Sequence, residues 1–180
     1  MWTAIAIIAV VLLYFVAVYN GLVSRRNQVR EAWATIDTQL KRRYDLIPNL
    51  METVSGAANH EKETLNAVVA ARNSAMSATG ADARGAAEKA LSGALKNIFA
   101  LAESYPNLKA NENFLELQRE LTDTETNIQA SRQCYNTVVM GLNNAVEQFP
   151  SNIVAHMFGI DKAQLFEADA SERVAPRVKF

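Results

Sequence analysis

The first twenty-four residues contain no Asp, Glu, Lys or Arg. Trp2 to Val18 is almost wholly apolar, and the run extends to Val23. As an α-helix, about 21 residues rise ~31 Å, which matches the ~30 Å hydrocarbon core of a bilayer. Twelve Ile, Val, Leu and Phe side chains lie between Ala4 and Val23. Together they favour insertion by about 5 kcal/mol, less the cost of Asn20 near the edge. Trp2 and Tyr19 fall where interfacial rings belong. A cleaved signal peptide normally has basic residues first, a shorter apolar run and a small-residue cleavage motif, none of which is clear here. Residues 1–23 are therefore expected to be a transmembrane anchor. No Lys or Arg precedes it, and Arg25, Arg26 and Arg30 follow it at headgroup depth. The positive-inside rule then predicts a single-pass protein of the cell membrane with its remaining chain in the cytoplasm. Orientation of the anchor is the leading role expected of these three arginines, ahead of contact with anionic lipid.

Beyond the anchor the pattern is helical. Large apolar residues fall at Val29, Trp33, Ile36, Leu40, Tyr44, Ile47, Met51 and Val54, in steps of three and four. With no turn signal between Leu22 and Asp45, one helix is expected to continue from the anchor. Pro48 lacks the N–H that would bond to the Tyr44 carbonyl, so a kink is expected at Pro48 and Asn49, with Asn49 placed to satisfy the freed carbonyl. Gly56 reads as a C-terminal cap and Asn59 as an N-cap. A second helix is expected over 60–79, with Leu65, Val68, Val69 and Met76 inward. A third is expected over 83–103, with Leu91, Leu95, Ile98, Phe99 and Leu101, ending at Pro106 and Asn107. From Phe114 to Phe149 an unbroken 3–4 alternation passes through Leu121, Ile128, Tyr135 and Leu142, a heptad seam that calls for a packed bundle core. Pro150 stops it, and 151–158 is a candidate short helix.

Segments of about 36, 20, 21 and 37 residues joined by short links favour antiparallel neighbours. The expected fold is all-α: a transmembrane helix over 1–23 continuous with an elongated, up-and-down four-helix bundle over 24–158. A polar tail over 159–180 follows, with Phe166, Val174, Val178 and Phe180 as docking points.

Little in the chain suggests catalysis. Net charge is −1 with a sequence pI near 6.1, so nothing electrostatic favours nucleic acid. One cysteine, Cys134, excludes an intramolecular disulfide framework and a cysteine-based zinc site; its expected role is buried packing. His60-Glu61 opens like a zincin motif, but the second histidine position holds Thr64. The residues three before His60 and His156 are Ala57 and Ile153, so a di-iron Glu-x-x-His set is not formed. No Gly-x-Gly is present. No catalytic, cofactor or metal residue is therefore assigned. Lys41, Arg42 and Arg43, with Asp37 one turn earlier, are the candidate partner or lipid contact. A straight helix carries Arg42 roughly 30 Å beyond the anchor, several Debye lengths away, so a protein contact or helix-surface ion pairing, Asp37 to Lys41, is favoured there.

Several runs together resemble the LemA family. They are Tyr19-Asn20 with Leu22-Val23, Arg26-Asn27, Ala32-Trp33, and the stretch from Ile36-Asp37 through Gln39-Leu40-Lys41-Arg42-Arg43 to Asp45-Leu46-Ile47-Pro48-Asn49-Leu50. Others are His60-Glu61, Ala71-Arg72-Asn73, Tyr105-Pro106, Leu108-Lys109-Ala110-Asn111, Phe114, Leu117-Gln118, Thr124-Glu125, Tyr135-Asn136, Phe149-Pro150 and Phe158-Gly159. The resemblance covers nearly the whole chain. It implies a bacterial, membrane-anchored, all-α protein with a bundle domain and no established enzymatic activity. Relatives among magnetosome-membrane proteins hint, by analogy alone, at membrane organisation. The functional expectation is a non-enzymatic scaffold in the inner membrane that self-associates or holds membrane or cytoplasmic partners. An adaptor for a membrane protease or signalling complex is the alternative.

Overall fold

The structure is a computed structural model that describes residues 1–58 and 60–166. It is helical, and among the described residues there is no strand. Among the described residues six helices follow one another: α1 (Trp2–Ala57), α2 (Lys62–Ser77), α3 (Ala81–Ala102), α4 (Pro106–Lys109), α5 (Glu112–Glu147) and α6 (Ser151–Met157). The charge-free apolar start and the first amphipathic stripe belong to one helix, as their unbroken pattern predicts. α1 passes through Pro48 without ending. Gly56 is not its cap but lies inside the last turn, and Asn59, expected as an N-cap, lies outside the described residues. α2 begins after Glu61, which makes no side-chain cap bond. Pro106 ends nothing: it opens the single turn of α4, where the missing proline N–H has no intrahelical partner to lose. α5 is capped by Asn111, whose Oδ1 accepts from the Phe114 amide at 3.1 Å. Gly80, at φ 84° before α3, occupies a backbone region that side chains disfavour.

The chain divides into two compact units. The first comprises Met1–Thr38 and Gln129–Leu165. Its core joins Leu22 of α1, Leu142 and Val146 of α5, Val154 and Ala155 of α6, and Ile160. Trp33 and Tyr135 meet edge to face at 5.4 Å. The chain after α6 is tied down: Asn143 donates to the Ala163 carbonyl at 3.0 Å and accepts from the Ala163 amide at 2.9 Å. The Tyr135 hydroxyl donates to the Gln164 carbonyl at 2.9 Å. These two polar residues dock the stretch that begins the expected tail.

The second unit comprises Gln39–Ile128 with Phe166. From α1 it buries Leu40, Tyr44, Ile47, Leu50 and Val54. Leu50 rather than Met51 is the fully buried member of that turn, because steps of 3.6 residues drift off a strict seven-residue repeat. α2 packs on α3 with Val68 and Ala75 buried, whereas Val69 and Met76, expected inward, are exposed. α3 buries Ala81, Glu88, Leu91, Leu95, Ile98 and Ala102. Phe166 is buried as a docking point; Val174, Val178 and Phe180 lie outside the described residues.

Candidate functional site

Two charged residues hold core positions of the second unit, among its described residues. Arg43 is seven residues after Ile36 and three after Leu40, and is only 3% exposed. Glu88 is three before Leu91 and seven before Leu95, and is 1% exposed. Arg43 Nη1 lies 3.1 Å from Glu88 Oε2 and 2.7 Å from Glu125 Oε2. Its Nη2 donates to Ser92 Oγ at 2.8 Å, and Ser92 Oγ donates to Glu125 at 3.2 Å. The Tyr44 hydroxyl donates to the second oxygen of Glu88. One guanidinium thus joins α1, α3 and α5. Its planar fork meets several acceptors in fixed directions, which a lysine ammonium cannot reproduce. Burial, and then the bond to Glu88, push the Tyr44 phenol well above its ordinary value of 10.0. The cluster therefore holds a cation, carboxylates and a neutral phenol in fixed positions inside the core.

A second polar contact explains how α1 tolerates Pro48. Proline cannot return a hydrogen bond to the carbonyl four residues earlier. That carbonyl, of Tyr44, instead accepts from Arg72 Nε of α2 at 2.9 Å. The sequence reading assigned this repair to Asn49. Asn49 is exposed, and its own carbonyl accepts from Thr53 Oγ1 at 2.9 Å. Arg72 does the repair because α2 brings a long charged side chain to the buried side of the proline turn.

The surface charges fall elsewhere. Arg43 leaves the candidate contact set as a correction: its register places it in the core, out of reach of lipid or a docking protein. Lys41 and Arg42 are exposed. Lys41 pairs with Asp45 at 2.8 Å, and Arg42 Nη2 lies 3.9 Å from Glu120. Both pairs are solvent-screened and contribute little. Asp37 is exposed. In the first unit, Arg25 reaches the Gly141 carbonyl at 3.4 Å; a Cβ at Gly141 would sit 3.3 Å from the same guanidinium. Arg26 is half-buried and Arg30 exposed. Trp2 is exposed, and the Tyr19 ring lies 4.5 Å from that of Phe158. Cys134, expected to be buried, is exposed, because the buried face of α5 there turns through Tyr135 and Val139. The Tyr105 hydroxyl donates to Glu61 at 3.0 Å, and that bond above all raises its pKa. Burial raises that of Tyr135. Among the described residues, no three or more His, Cys, Asp and Glu side chains are grouped to hold a metal ion.

Sequence reasoning missed Glu88, Glu125 and Arg72 as partners. Glu88 had a readable signal: it keeps heptad register with Leu91, Leu95, Ile98 and Ala102, a position where an unpaired carboxylate is costly. Arg72 had none, since nothing local links it to Pro48.

The fold and its polar core define an all-helical protein whose N-terminal helix is long and apolar enough to span a membrane, with residues 2–14 exposed. Comparison with known proteins agrees. The chain belongs to the LemA family, whose sequence pattern it matches over residues 32–180. It is 30% identical over 175 residues to "Protein LemA" of Metamycoplasma hominis, covering 93% of this chain and 78% of that protein.

Proposed function

We propose that this protein is a non-enzymatic scaffold anchored by a single pass in the bacterial inner membrane. Its helical region stands in the cytoplasm, associates with further copies and organises partner proteins at the membrane face. The observation that carries the reading is α1 itself. One helix of 56 residues has a charge-free, exposed apolar beginning and an end fixed in a core by a buried arginine. Such a helix joins a lipid-facing segment to a folded region without a break in its secondary structure. Shaping or ordering the membrane follows naturally from many copies of such a body. The test is crosslinking in cells, followed by purification in detergent and mass measurement by light scattering. A defined oligomer or a crosslinked partner protein is expected. Monomers alone, with no crosslinked partner, would overturn the scaffold reading.

The exposed Cys134 supplies the test of orientation. A membrane-impermeant maleimide is expected to label it in inverted vesicles and not in intact spheroplasts; the reverse pattern would place the domain outside. The alternative role, an adaptor for a membrane protease or signalling complex, is favoured by the exposed cations Lys41 and Arg42. Reversing their charge should abolish partner recovery in a pull-down, and unchanged recovery would remove that role.

A further inference from the structure

We propose that α6, with the residues flanking it from Phe149 to Phe158, is a second lipid contact, seated in the headgroup and acyl boundary beside the anchor. The inference rests on the reading of α1 as an anchor and goes beyond it. Its starting point is a shortfall of length. Residues 2–14 of α1 are exposed all round and rise only about 20 Å. The hydrocarbon layer is about 30 Å thick. The missing ~10 Å is about seven residues of helix, which takes the span from Phe15 through Gly21 to the edge at Leu22.

That stretch does not stand alone. Phe15, Val18, Tyr19 and Leu22, at steps of three, one and three, pack into the cluster that includes Val154, Ala155 and Ile160. Phe158 covers the Tyr19 ring. An anchor submerged to Leu22 therefore carries α6 to the lipid boundary with it.

The outer face of α6 suits that place. Val154 and Ala155 point inward, whereas Phe149 is 81%, Ile153 45%, Met157 67% and Phe158 54% exposed. Ile153 and Met157 are four residues apart and share a face of α6, and Phe149 lies in the turn that leads into that helix. Phe149 is the last member of the heptad seam, yet α5 buries Val146 instead, which leaves the Phe149 ring outside the core. From Gln148 to Ile160 no Asp, Glu, Lys or Arg occurs, the same charge-free character as the anchor. Charge returns at its edge, where Glu147 and Lys162 pair at 2.7 Å, and on α1 at Arg25 and Arg26. Apolar surface continuous with a lipid-spanning segment, and bounded by charges, is the surface that an interfacial helix buries to a depth of about 5–10 Å.

The test uses the full chain with Cys134→Ser and single cysteines carrying an environment-sensitive fluorophore at Leu12, Met157 or, in a third protein, the native Cys134. Each is reconstituted into vesicles of phosphatidylethanolamine and phosphatidylglycerol, with spin-labelled lipids as depth-resolved quenchers and iodide as the aqueous quencher. The Leu12 probe is expected to respond to deep labels, the Met157 probe to shallow ones, and the Cys134 probe to iodide alone. Met157→Glu alters an exposed side chain and leaves the core untouched; with the probe moved to Ile153, it is expected to abolish quenching by the shallow labels. If the Met157 probe behaves like Cys134 while Leu12 is quenched deep, the α6 contact is wrong and the anchor stands. If Leu12 also responds only to iodide, the anchor reading fails and this inference with it.

Discussion

Pro48 and Arg72 form a pair whose dependence on each other can be measured. The Tyr44 carbonyl lacks its helical donor because residue 48 is proline, and Arg72 Nε replaces it at 2.9 Å. Tyr44 is buried, so water cannot easily take over. Arg72→Met keeps most of the aliphatic stem and removes the donor. A hydrogen bond from a charged group contributes about 1.5–3 kcal/mol net, and a stranded buried carbonyl costs a similar amount, so a loss of about 2 kcal/mol is expected. Pro48→Ala supplies the N–H that α1 lacks. In that background the carbonyl has its own helical partner, and Arg72→Met should cost only about 0.5 kcal/mol. The coupling energy is then about 1.5 kcal/mol, above the ~0.3–0.5 kcal/mol scatter of independent sites. The assay is urea unfolding of the full chain in detergent, followed by far-ultraviolet circular dichroism, for all four proteins. For a chain of this size 1 kcal/mol shifts the thermal midpoint by about 2–4 °C, so Arg72→Met alone should lower it by roughly 4–8 °C. Equal losses in the two backgrounds would show that Arg72 does not serve the carbonyl that proline frees.

Arg43→Met takes from the buried Glu88 the guanidinium that pairs with it at 3.1 Å, and should cost about 3–5 kcal/mol. Arg43→Met with Glu88→Met removes both charges and should recover most of that loss in the same unfolding assay. Asn143→Ala strands the Ala163 amide and carbonyl; a loss of about 1–3 kcal/mol is expected, with faster amide exchange read at Ala163. The Tyr44 phenol has a folded pKa raised above its unfolded value of 10.0 by burial and by Glu88. Its contribution to stability is therefore complete below pH 10.0 and is lost as pH rises through the folded value. The parent should lose more stability between about pH 9 and about pH 11 than Tyr44→Phe does.

The helices were legible because their signals are local. A charge-free run, a 3–4 apolar alternation, and the proline at 150 each act within a few residues, and α1, α3 and α5 lie close to where those signals put them. The errors cluster where two helices decide a residue's surroundings. Val69 and Met76 are apolar but turn outward, because α2 offers α3 the narrower face of Val68 and Ala75. Arg43 belongs to a basic run that reads as surface, yet register puts its guanidinium against Glu88. Cys134 sits beside the seam rather than in it. A helix has only so wide a buried stripe, and which side chains fall within it depends on the neighbour it meets.

Covalent order along the chain thus decided that this protein is helical, that its first helix is apolar enough for lipid and long enough to continue into a folded body, and where most helices stop. Hydropathy, proline geometry and the 3.6-residue turn act over short distances and need no knowledge of the fold. Tertiary structure alone decided which polar groups meet: Arg43 with Glu88 and Glu125, Arg72 with the carbonyl that Pro48 leaves unserved, Asn143 with Ala163. It also decided that Phe149 and Met157 are exposed. Hydrogen bonds and ion pairs between residues tens of positions apart depend on distances of a few ångströms, and those distances exist only once the helices have packed.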